Sequence, residues 1–537
     1  MTTSRPDLGR LLLLGGQLHN STSSDLGRTR EAFDRVVALG SNAVTATVSW
    51  HLVEPVEGEF DFSDVDTILA LARERGLALT LLWFGAFKNA ASTYAPRWVR
   101  ADTVRFPRAL LSLPDSASAA SADEDAPALP AFTRPGTPVL SVFSSELRAA
   151  DRRAFTALTR HLAQVDTAGT VVMVQVENEV GLLGAARDHC EVAQEAWSAP
   201  VPETLISWLA EHTGATGSAS RLWRERGQQR TGSWAEVFGD SPQAQEVFMA
   251  WAFASYCEEL AAAGAEHLDV VYYANAWLGP QPGQDLPGQY PSGGPVAGVV
   301  DVWKAAAPTL ALVAPDIYVD DVKGAVAGYC RQDNALMVPE SRLAVGNVMW
   351  AVGSGAVGFD VFGIEDVRPD GQLADAYRLL VGAREIVVEA REQGRLHPVL
   401  LEAGETTTIE VGGLAWTLRG AADVLERMFL DAGVQMKIEP SVQVETVPEA
   451  RVPVMTDTRP MGVLVDLGED EVLLIGQGLM VDIADLDGHV VEIDDAVEGR
   501  YVDGQWVRGR VLNGDERLSL LPLDELAAVR VRALRVM

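Results

Sequence analysis

The sequence has few cysteines and no long apolar run, and both shortages limit what the protein can be. Its three cysteines, Cys190, Cys257 and Cys330, are far apart in the chain, and none belongs to a CxxC pair. This pattern favours free thiols in a reducing compartment and offers no cysteine cluster for a metal ion. The apolar run Leu11–Leu14 is too short for a signal-peptide core or a membrane span. We therefore expect a cytoplasmic protein that uses no metal and no cofactor.

Basic residues are also scarce. Lysine and arginine together number 43 against 75 aspartates and glutamates, which gives a formal net charge of −32. A surface this acidic repels nucleic acids and anionic membranes, so we expect neither as a partner. The hydrophobic fraction of 47% is that of an ordinary globular protein, and 537 residues suffice for two or three domains. The sequence is compatible with a homo-oligomer but does not fix the oligomeric state.

Apolar, β-branched runs alternate with helical sequence through the first part of the chain. The strand-like run Asn42–Trp50, for example, precedes the helical pattern Phe62–Arg75, and Leu77–Phe84 is the next strand. Eight such units in about 390 residues predict a (β/α)8 TIM barrel over residues 1–395. The alternative is a doubly wound open sheet, but no glycine-rich phosphate motif follows the first strand. Ser116–Pro130, rich in Ser, Ala, Asp and Pro, predicts a long surface loop.

The pattern changes after Pro398. Short strand-like runs, among them Thr406–Val411, Arg451–Met455 and Glu471–Ile475, are separated by Asp/Gly turns. They predict a smaller, mostly β C-terminal domain over residues 396–537, with one helix near Ala421–Ala432. Because this domain contains no catalytic motif, we expect it to pack against the barrel and shape it.

Carboxylates end two of the predicted buried strands. The run Thr170–Val176 leads into Glu177, Asn178 and Glu179, and a second apolar run ends at Glu340. Burying a carboxylate is costly unless it is paired or used, and for a single glutamate a structural ion pair is the ordinary explanation. We expect Glu177 to be such a buried carboxylate, paired with an arginine. Glu179 and Glu340 together are instead what a glycosidase needs.

Strand order places Glu179 at the end of the fourth barrel strand and Glu340 at the end of the seventh, where barrel enzymes carry their catalytic groups. Asn178, directly before Glu179, can hydrogen-bond a sugar 2-hydroxyl, and this arrangement is typical of retaining barrel glycosidases. Other residues near strand ends are candidates for substrate binding, although each could instead serve only in packing. They are Tyr318, Asn275, Trp83, Trp50, Trp350, Lys88, Asn89, His19 and Asn20.

The stretch Val174–Gly181, Val-Gln-Val-Glu-Asn-Glu-Val-Gly, resembles the Gln-x-Glu-Asn-Glu-Tyr-Gly signature of glycoside hydrolase family 35, the β-galactosidase family. The runs Gly15–Asn20, Leu82–Gly85 and Tyr94–Pro96 are similar to a compact bacterial branch of that family. The chain departs from the pattern at Val180, where the signature has Tyr, and at His19-Asn20, where larger members carry His-Tyr.

This resemblance implies an exo-acting, retaining β-galactosidase that works by double displacement. Glu179 would be the acid/base and Glu340 the nucleophile, with their carboxyl groups about 5 Å apart. Tyr318 would hydrogen-bond the nucleophile, and the partner would be a small carbohydrate or glycoside. The alternatives are a retaining glycosidase or transglycosylase for another sugar, such as a β-glucoside, β-xyloside or α-L-arabinoside, and a non-catalytic carbohydrate-binding barrel.

Overall fold

The computed structural model of the protein describes residues 5–112, 139–502 and 504–536, so the loop predicted at 116–130 lies outside the described residues. A barrel of parallel strands forms the N-terminal part. Its strands are β1 (Leu13–Gln17), β2 (Ala43–Ser49), β3 (Ala78–Lys88), β4 (Val171–Asn178), β5 (Val271–Trp277), β6 (Leu312–Ile317), β7 (Met337–Val338), β8 (Glu340–Ser341) and β9 (Gly358–Phe362).

One short stretch closes the barrel. β7 and β8 lie on either side of Pro339, which lacks the backbone N–H that a continuous strand would donate. β7 pairs with β9, and β8 pairs with β6, so residues 337–341 together fill one strand position between β6 and β9. The register of the β6–β8 pair sets Asp316 opposite Glu340. The predicted (β/α)8 barrel is thus confirmed, with its seventh strand split in two.

Helices surround the barrel. They are α1 (Leu26–Ala38), α2 (Trp50–Val53), α3 (Ser63–Glu74), α4 (Arg97–Ala101), α5 (Ser145–Val165), α6 (Glu191–Ser198), α7 (Glu203–Glu211), α8 (Ser218–Glu225), α9 (Trp234–Phe238), α10 (Pro242–Ala265), α11 (Val300–Ala306), α12 (Val322–Tyr329), α13 (Val345–Gly353), α14 (Gln372–Gly382) and α15 (Arg384–Glu392). Helices α6 to α10 form a large insertion between β4 and β5. None of the helices in the described ranges is long and apolar enough to cross a membrane.

Side chains fill the barrel interior away from the strand ends that carry the carboxylates. Leu13, Met173, Tyr273, Leu312 and Met337 are buried together in this inner core. A second, larger core lies between the strands and the surrounding helices. Because the inner core blocks one end of the barrel, a ligand can enter only from the other end, where the parallel strands finish.

Antiparallel sheets make up the rest of the chain. One has six strands in the order β10-β13-β14-β18-β16-β17, and a smaller one joins β11, β12 and β15. The elements are β10 (Leu396–Leu400), β11 (Thr406–Val411), β12 (Leu414–Gly420), α16 (Ala421–Asp431), β13 (Met461–Gly468), β14 (Glu471–Gln477), β15 (Leu479–Asp485), β16 (Val490–Val502), β17 (Gln505–Val511) and β18 (Ala527–Val536). The strand predicted at Arg451–Met455 was wrong: this segment makes only an isolated bridge, between Val444 and Met455.

Candidate active site

The end of β4 has an unusual backbone. Glu177 and Glu179 both adopt left-handed conformations, with φ of 62° and 45°. Non-glycine residues in this region cost about 1–3 kcal/mol each, and such strain persists where surrounding contacts over-determine it. Because the strand does not continue regularly, the two carboxyl groups do not point to a common side. Glu177 is directed into the protein interior, and Glu179 faces a cavity.

This cavity, of about 410 Å³, opens at the ends of the barrel strands, and we call it the catalytic cavity. Both predicted carboxylates contribute to it, at 6% exposure for Glu179 and 8% for Glu340. It therefore joins residues from the ends of the fourth and seventh strand positions, as the strand count predicted. Its lining comprises Asn20, Lys88, Asn89, Glu179, Trp277, Leu278, Gln281, Gln284, Asp316, Tyr318, Val319, Glu340 and Phe362.

The Glu340 carboxylate is held on one side and open on the other. Its Oε1 accepts a hydrogen bond from the Tyr318 hydroxyl at 2.5 Å. Burial, followed by the charge of Glu340, raises the pKa of Tyr318, so the hydroxyl stays a donor. Oε2 of Glu340 is buried and has no hydrogen-bond partner in the described part of the chain. A buried carboxylate oxygen without a partner is costly, which indicates an atom kept for a ligand.

The surroundings of Glu179 favour its protonated form. Burial, followed by repulsion from Glu340, raises its pKa to about 7, against the opposing effects of Lys88 and a hydrogen bond with Asp316. Burial and the charges of Glu340 and Glu179 likewise raise the pKa of Asp316 well above its usual range. Two carboxyl groups can hydrogen-bond only if one of them carries a proton. Glu179 and Asp316 therefore share at least one proton near neutral pH.

The side-chain amide of Asn275 forms a second link between Glu179 and Asp316. The Glu179 backbone N–H donates to Oδ1 of Asn275 at 2.9 Å, and Nδ2 of Asn275 donates to Oδ2 of Asp316 at 2.6 Å. Asn275 lies behind the cavity wall and does not line it. It therefore acts in the structure as a spacer between β4 and β6, and not as a surface for a ligand.

Asn178 also lies just behind the cavity, where it contacts Lys88. The ammonium group of Lys88 donates to Oδ1 of Asn178 at 2.9 Å, and it lies 4.7 Å from the centre of the Phe84 ring. Nδ2 of Asn178 is buried and lacks a partner among the described residues. The next residue after Lys88, Asn89, donates its backbone N–H to the carbonyl of Asn178 at 3.2 Å. These contacts hold Lys88 and Asn89 on the cavity wall.

The three tryptophans predicted as sugar platforms do not line the catalytic cavity. Trp50 and Trp83 are fully buried and donate their indole N–H groups to Glu54 and Asp151, both at 2.8 Å. Trp350, on α13, packs under Lys323. The suggestion of a platform was therefore wrong for all three, because their rings serve core or helix packing.

Several residues that the sequence prediction missed line the cavity, among them Trp277 and Asp316. Trp277 ends β5, two residues beyond the predicted candidate Asn275. Asp316 lies two residues before Tyr318, so the alternation of side chains along a strand could have identified it. His19, a predicted ligand contact, belongs instead to a neighbouring cavity, where Nε2 lies 2.8 Å from Oδ2 of Asp366. Asn20 lines both cavities.

Glu177 is buried as predicted, but its partner is not an arginine. Its oxygens accept the backbone N–H groups of Ala86 and Phe87 at 3.1 and 2.7 Å. Burial, followed by the neighbouring Asp151, raises its pKa well above the usual range, and no ion pair of the described residues includes it. Gly85 makes this approach feasible, since a Cβ there would lie 2.5 Å from Oε1 of Glu177. The carboxyl group of Asp151 thus takes the place that we expected an arginine to fill.

No group of histidine, cysteine, aspartate or glutamate side chains within the described ranges is arranged to hold a metal ion.

Family models match two parts of the chain. Residues 22–103 match a glycoside hydrolase family 42 model described as beta-galactosidase. Residues 373–522 match a model described as a domain of unknown function, DUF5597. No curated protein matches the sequence.

Solved structures similar to the chain include several β-galactosidases. That of the psychrophilic Marinomonas ef1 is 15% identical, over 71% of this chain and 60% of that one, with a TM-score of 0.43. The β-galactosidase of Rahnella sp. R3 is 16% identical over 72% of this chain and 58% of that one, with a TM-score of 0.45. A catalytic mutant of the family 42 β-galactosidase Gan42B of G. stearothermophilus is 12% identical over 98% of this chain and 100% of that one, with a TM-score of 0.45. The chain thus spans less than two thirds of the length of the first two.

The comparisons correct the family that the sequence motif suggested. The model that matches residues 22–103 is that of family 42 and not of family 35. Its description as beta-galactosidase supports the wider β-galactosidase grouping that the same motif predicted.

Proposed function

We propose that the protein is a retaining exo-glycoside hydrolase that removes terminal β-galactosyl residues. The observation that carries the proposal is that two carboxyl groups with different surroundings share one cavity. The pKa of Glu179 is raised to about 7, and Glu340 is held by Tyr318 with one oxygen that no described residue contacts by a hydrogen bond. A retaining glycosidase needs one carboxyl group that gives up a proton and a second that attacks the sugar, and these surroundings suit those two roles. The match of residues 22–103 to a β-galactosidase model supports the choice of sugar.

The first step breaks the glycosidic bond. Oε2 of Glu340 attacks the anomeric carbon while the carboxyl group of Glu179 gives its proton to the departing glycosidic oxygen. The Tyr318 hydroxyl keeps the nucleophile oriented through Oε1. Asp316 hydrogen-bonds Glu179 and lies beside it at the cavity. The products of this step are a glycosyl-enzyme ester and a free leaving group.

In the second step a water molecule replaces the leaving group. The ionised Glu179 takes a proton from the water, which attacks the anomeric carbon and releases Glu340 as a carboxylate. Two inversions restore the original β configuration. Nδ2 of Asn178, buried and without a partner among the described residues, is suited to hydrogen-bond the sugar 2-hydroxyl, a contact that strengthens as positive charge develops on the ring.

The remaining cavity residues suit a single terminal sugar. Trp277 and Phe362 offer aromatic surface, which apolar faces of a sugar ring require. Lys88, Asn89 and Gln281 offer donors and acceptors for hydroxyl groups. A cavity of about 410 Å³, whose inner end is closed by the barrel core, supports attack on a chain end.

A panel of nitrophenyl β-galactoside, β-glucoside, β-xyloside and α-L-arabinoside tests this proposal. We expect the β-galactoside to have the highest kcat/KM, and NMR of the fresh product to show the β anomer before mutarotation. Preference for another sugar would keep the chemistry and change the substrate. An α product would exclude the retaining mechanism, and lack of turnover on every glycoside would leave a carbohydrate-binding barrel as the better explanation.

We also propose that the protein acts in the cytoplasm on small carbohydrates, with neither nucleic acid nor membrane as a partner. All three cysteines are free, and Cys190 and Cys257 are buried. Free thiols fit a reducing compartment. The net charge of −32 disfavours both anionic partners.

A further inference from the structure

A second cavity opens beside the catalytic one and is built by both parts of the chain. It has a volume of about 820 Å³, and Asn20, Tyr318 and Phe362 line both cavities. The opposite wall belongs to the C-terminal part, through Thr446, Glu449, Arg451, Val452 and Val454. A molecule whose terminal sugar occupies the catalytic cavity would therefore continue into this second cavity, which we call the outer cavity.

The wall formed by residues 446–454 is fixed to the barrel. The Arg368 backbone N–H donates to the carbonyl of Glu445 at 2.9 Å, and the Val447 N–H donates to the carbonyl of Asp366 at 2.8 Å. The carboxylate of Glu445, itself buried, accepts the N–H of Gln372 at 2.7 Å. These contacts attach the segment to the chain directly after β9. Its position beside the catalytic cavity is therefore part of the fold.

Arginines and apolar side chains share the lining of the outer cavity. Arg28, Arg342 and Arg451 lie on it together with the apolar Val367, Val452 and Leu343. Arg342 is paired with Asp320, but the side chains of Arg28 and Arg451 form no hydrogen bond or ion pair with any described residue. Val452 is 67% exposed although it is apolar.

These features specify the chemistry of a ligand. An arginine only donates hydrogen bonds, so the ligand must offer acceptors. The exposed side chain of Val452 can pack on an apolar surface, and sugar rings provide both hydroxyl acceptors and apolar C–H faces. Two arginines without a partner among the described residues lie at one opening, in a chain whose net charge is −32.

The size of the outer cavity indicates how large the ligand is. Its volume of about 820 Å³ is twice the 410 Å³ of the catalytic cavity. If the smaller cavity holds one sugar residue, the larger one has room for about two. The leaving group is then longer than a single sugar.

We propose that the outer cavity binds the leaving group of the substrate and that it is built for an oligosaccharide of two or more sugar residues. The segment 446–454 lies within the part of the chain that matches a domain of unknown function, which gives that domain a role in substrate selection. This inference rests on the proposed function, because it places the scissile bond between the two cavities.

The test compares substrates that differ only in the leaving group. They are β-galactosyl fluoride, whose leaving group is a single atom, and the β-1,3-, β-1,4- and β-1,6-linked galactobioses and galactotrioses. For at least one linkage we expect wild type to cleave the triose with a kcat/KM about fivefold or more above that of the biose, as one added hydrogen bond allows. Equal values for biose and triose in all three linkages would overturn the inference.

The variants then identify the contact. Arg451→Ala, which changes an exposed side chain, should lower the ratio of kcat/KM for the preferred triose to that for the fluoride by about fivefold. Arg28→Ala, on the opposite wall, should lower the same ratio. Arg427→Ala is the matched control, because Arg427 is an exposed arginine of the C-terminal part, paired with Asp431 and outside the outer cavity. An unchanged ratio in Arg451→Ala, or the same loss in Arg427→Ala, would overturn the inference.

The fluoride separates this inference from the proposed function. If wild type hydrolyses the fluoride but does not favour trioses, the inference fails and the proposed function stands. If wild type hydrolyses none of these galactosyl substrates, the proposed function fails and the inference fails with it.

Discussion

Two pairs of carboxyl groups meet at the end of β4, through glutamates two residues apart, and they have different surroundings. Glu177 pairs with Asp151 inside the protein, and Glu179 pairs with Asp316 at the catalytic cavity. Burial is the largest cause of a raised pKa in all four groups. A raised pKa alone therefore does not distinguish a structural carboxyl group from a candidate catalytic one.

The difference lies in how completely each pair is satisfied. Both oxygens of Glu177 accept backbone N–H groups, and those of Asp151 accept Trp83, Tyr256 and Ala86. At the catalytic cavity, apart from the proton that Asp316 shares with Glu179, Oδ1 of Asp316 has no donor among the described residues, and neither has Oε2 of the nearby Glu340. Unsatisfied oxygens on a cavity wall, in addition to raised pKa values, mark the pair that awaits a ligand.

Replacing the proposed nucleophile should give the largest effect on activity. Glu340→Gly should lower kcat by on the order of 10⁴-fold or more, as loss of a nucleophile does in other enzymes. Without the carboxylate no glycosyl-enzyme forms, but the vacated space admits azide. With an activated β-galactoside, azide should restore turnover and give the α-galactosyl azide, since a single displacement inverts the anomeric carbon. A β azide, detected by NMR, would contradict the assignment of Glu340.

Replacing the proposed acid should cost less, and the cost should depend on the leaving group. Glu179→Gln should slow cleavage of natural glycosides by about 10²–10⁴-fold, and much less for nitrophenyl or fluoride leaving groups, which need no proton. In wild type, kcat/KM should fall as pH rises through about 7, because the acid then loses its proton. This fall should be absent in Glu179→Gln.

A product analysis checks the same assignment independently. With Glu179→Ala, azide should attack the glycosyl-enzyme and give the β-galactosyl azide, the opposite of the product from Glu340→Gly. Equal rate losses on all leaving groups would remove Glu179 from the acid role.

Replacing Glu177 of the buried pair should change the stability of the protein and not its catalytic activity. Glu177→Ala leaves the N–H of Phe87 without an acceptor and opens a void, so the free energy of unfolding should fall by about 3 kcal/mol. Glu177→Gln keeps one acceptor and can donate to Asp151, so it should cost about 1 kcal/mol. Denaturant unfolding measures both, with Glu179→Gln as the isosteric comparison. The distinction between a structural and a catalytic pair would be contradicted if Glu177→Gln lost as much activity per folded molecule as Glu179→Gln.

The fold and the carboxylates were predictable because each depends on local sequence. Alternating strand and helix patterns identify a barrel, and carboxylates directly after buried runs identify Glu179 and Glu340 as residues that need a partner or a ligand. The left-handed backbone that turns Glu177 and Glu179 apart has no such signal, because neither residue is glycine. Asp151 escaped prediction because it comes from α5 and reaches Glu177 only through tertiary packing beside Gly85.

The aromatic residues and the segment near residue 452 show a second limit of prediction from the sequence. Trp83 and Trp277 both lie on barrel strands, and only the folded arrangement shows that the first packs against α5 while the second lines the cavity. The valines near residue 452 predicted a strand, since β-branched residues favour one. In the structure Val452 and Val454 instead form part of a cavity wall. The carbonyl of Val454 accepts the Glu445 N–H and its N–H donates to the Thr446 hydroxyl, so this segment pairs with a neighbouring loop and not with a sheet.

The smallest predicted effect concerns the charge beside the acid. The ammonium group of Lys88 lowers the pKa of Glu179 by favouring its ionised form. Lys88→Met removes that charge and adds apolar surface, and both changes favour the protonated form. The fall of kcat/KM on the alkaline side should therefore move to higher pH, and a pH profile with a nitrophenyl substrate and a disaccharide measures it. The shift should be visible with the disaccharide, which needs the proton.

Lys437→Met provides the control, because Lys437 is exposed, belongs to the C-terminal part and pairs with Glu439. Its profile should match that of wild type. An unshifted profile in Lys88→Met would mean that Lys88 does not act on Glu179, and the proton shared with Asp316 would then have to set the pKa of the acid.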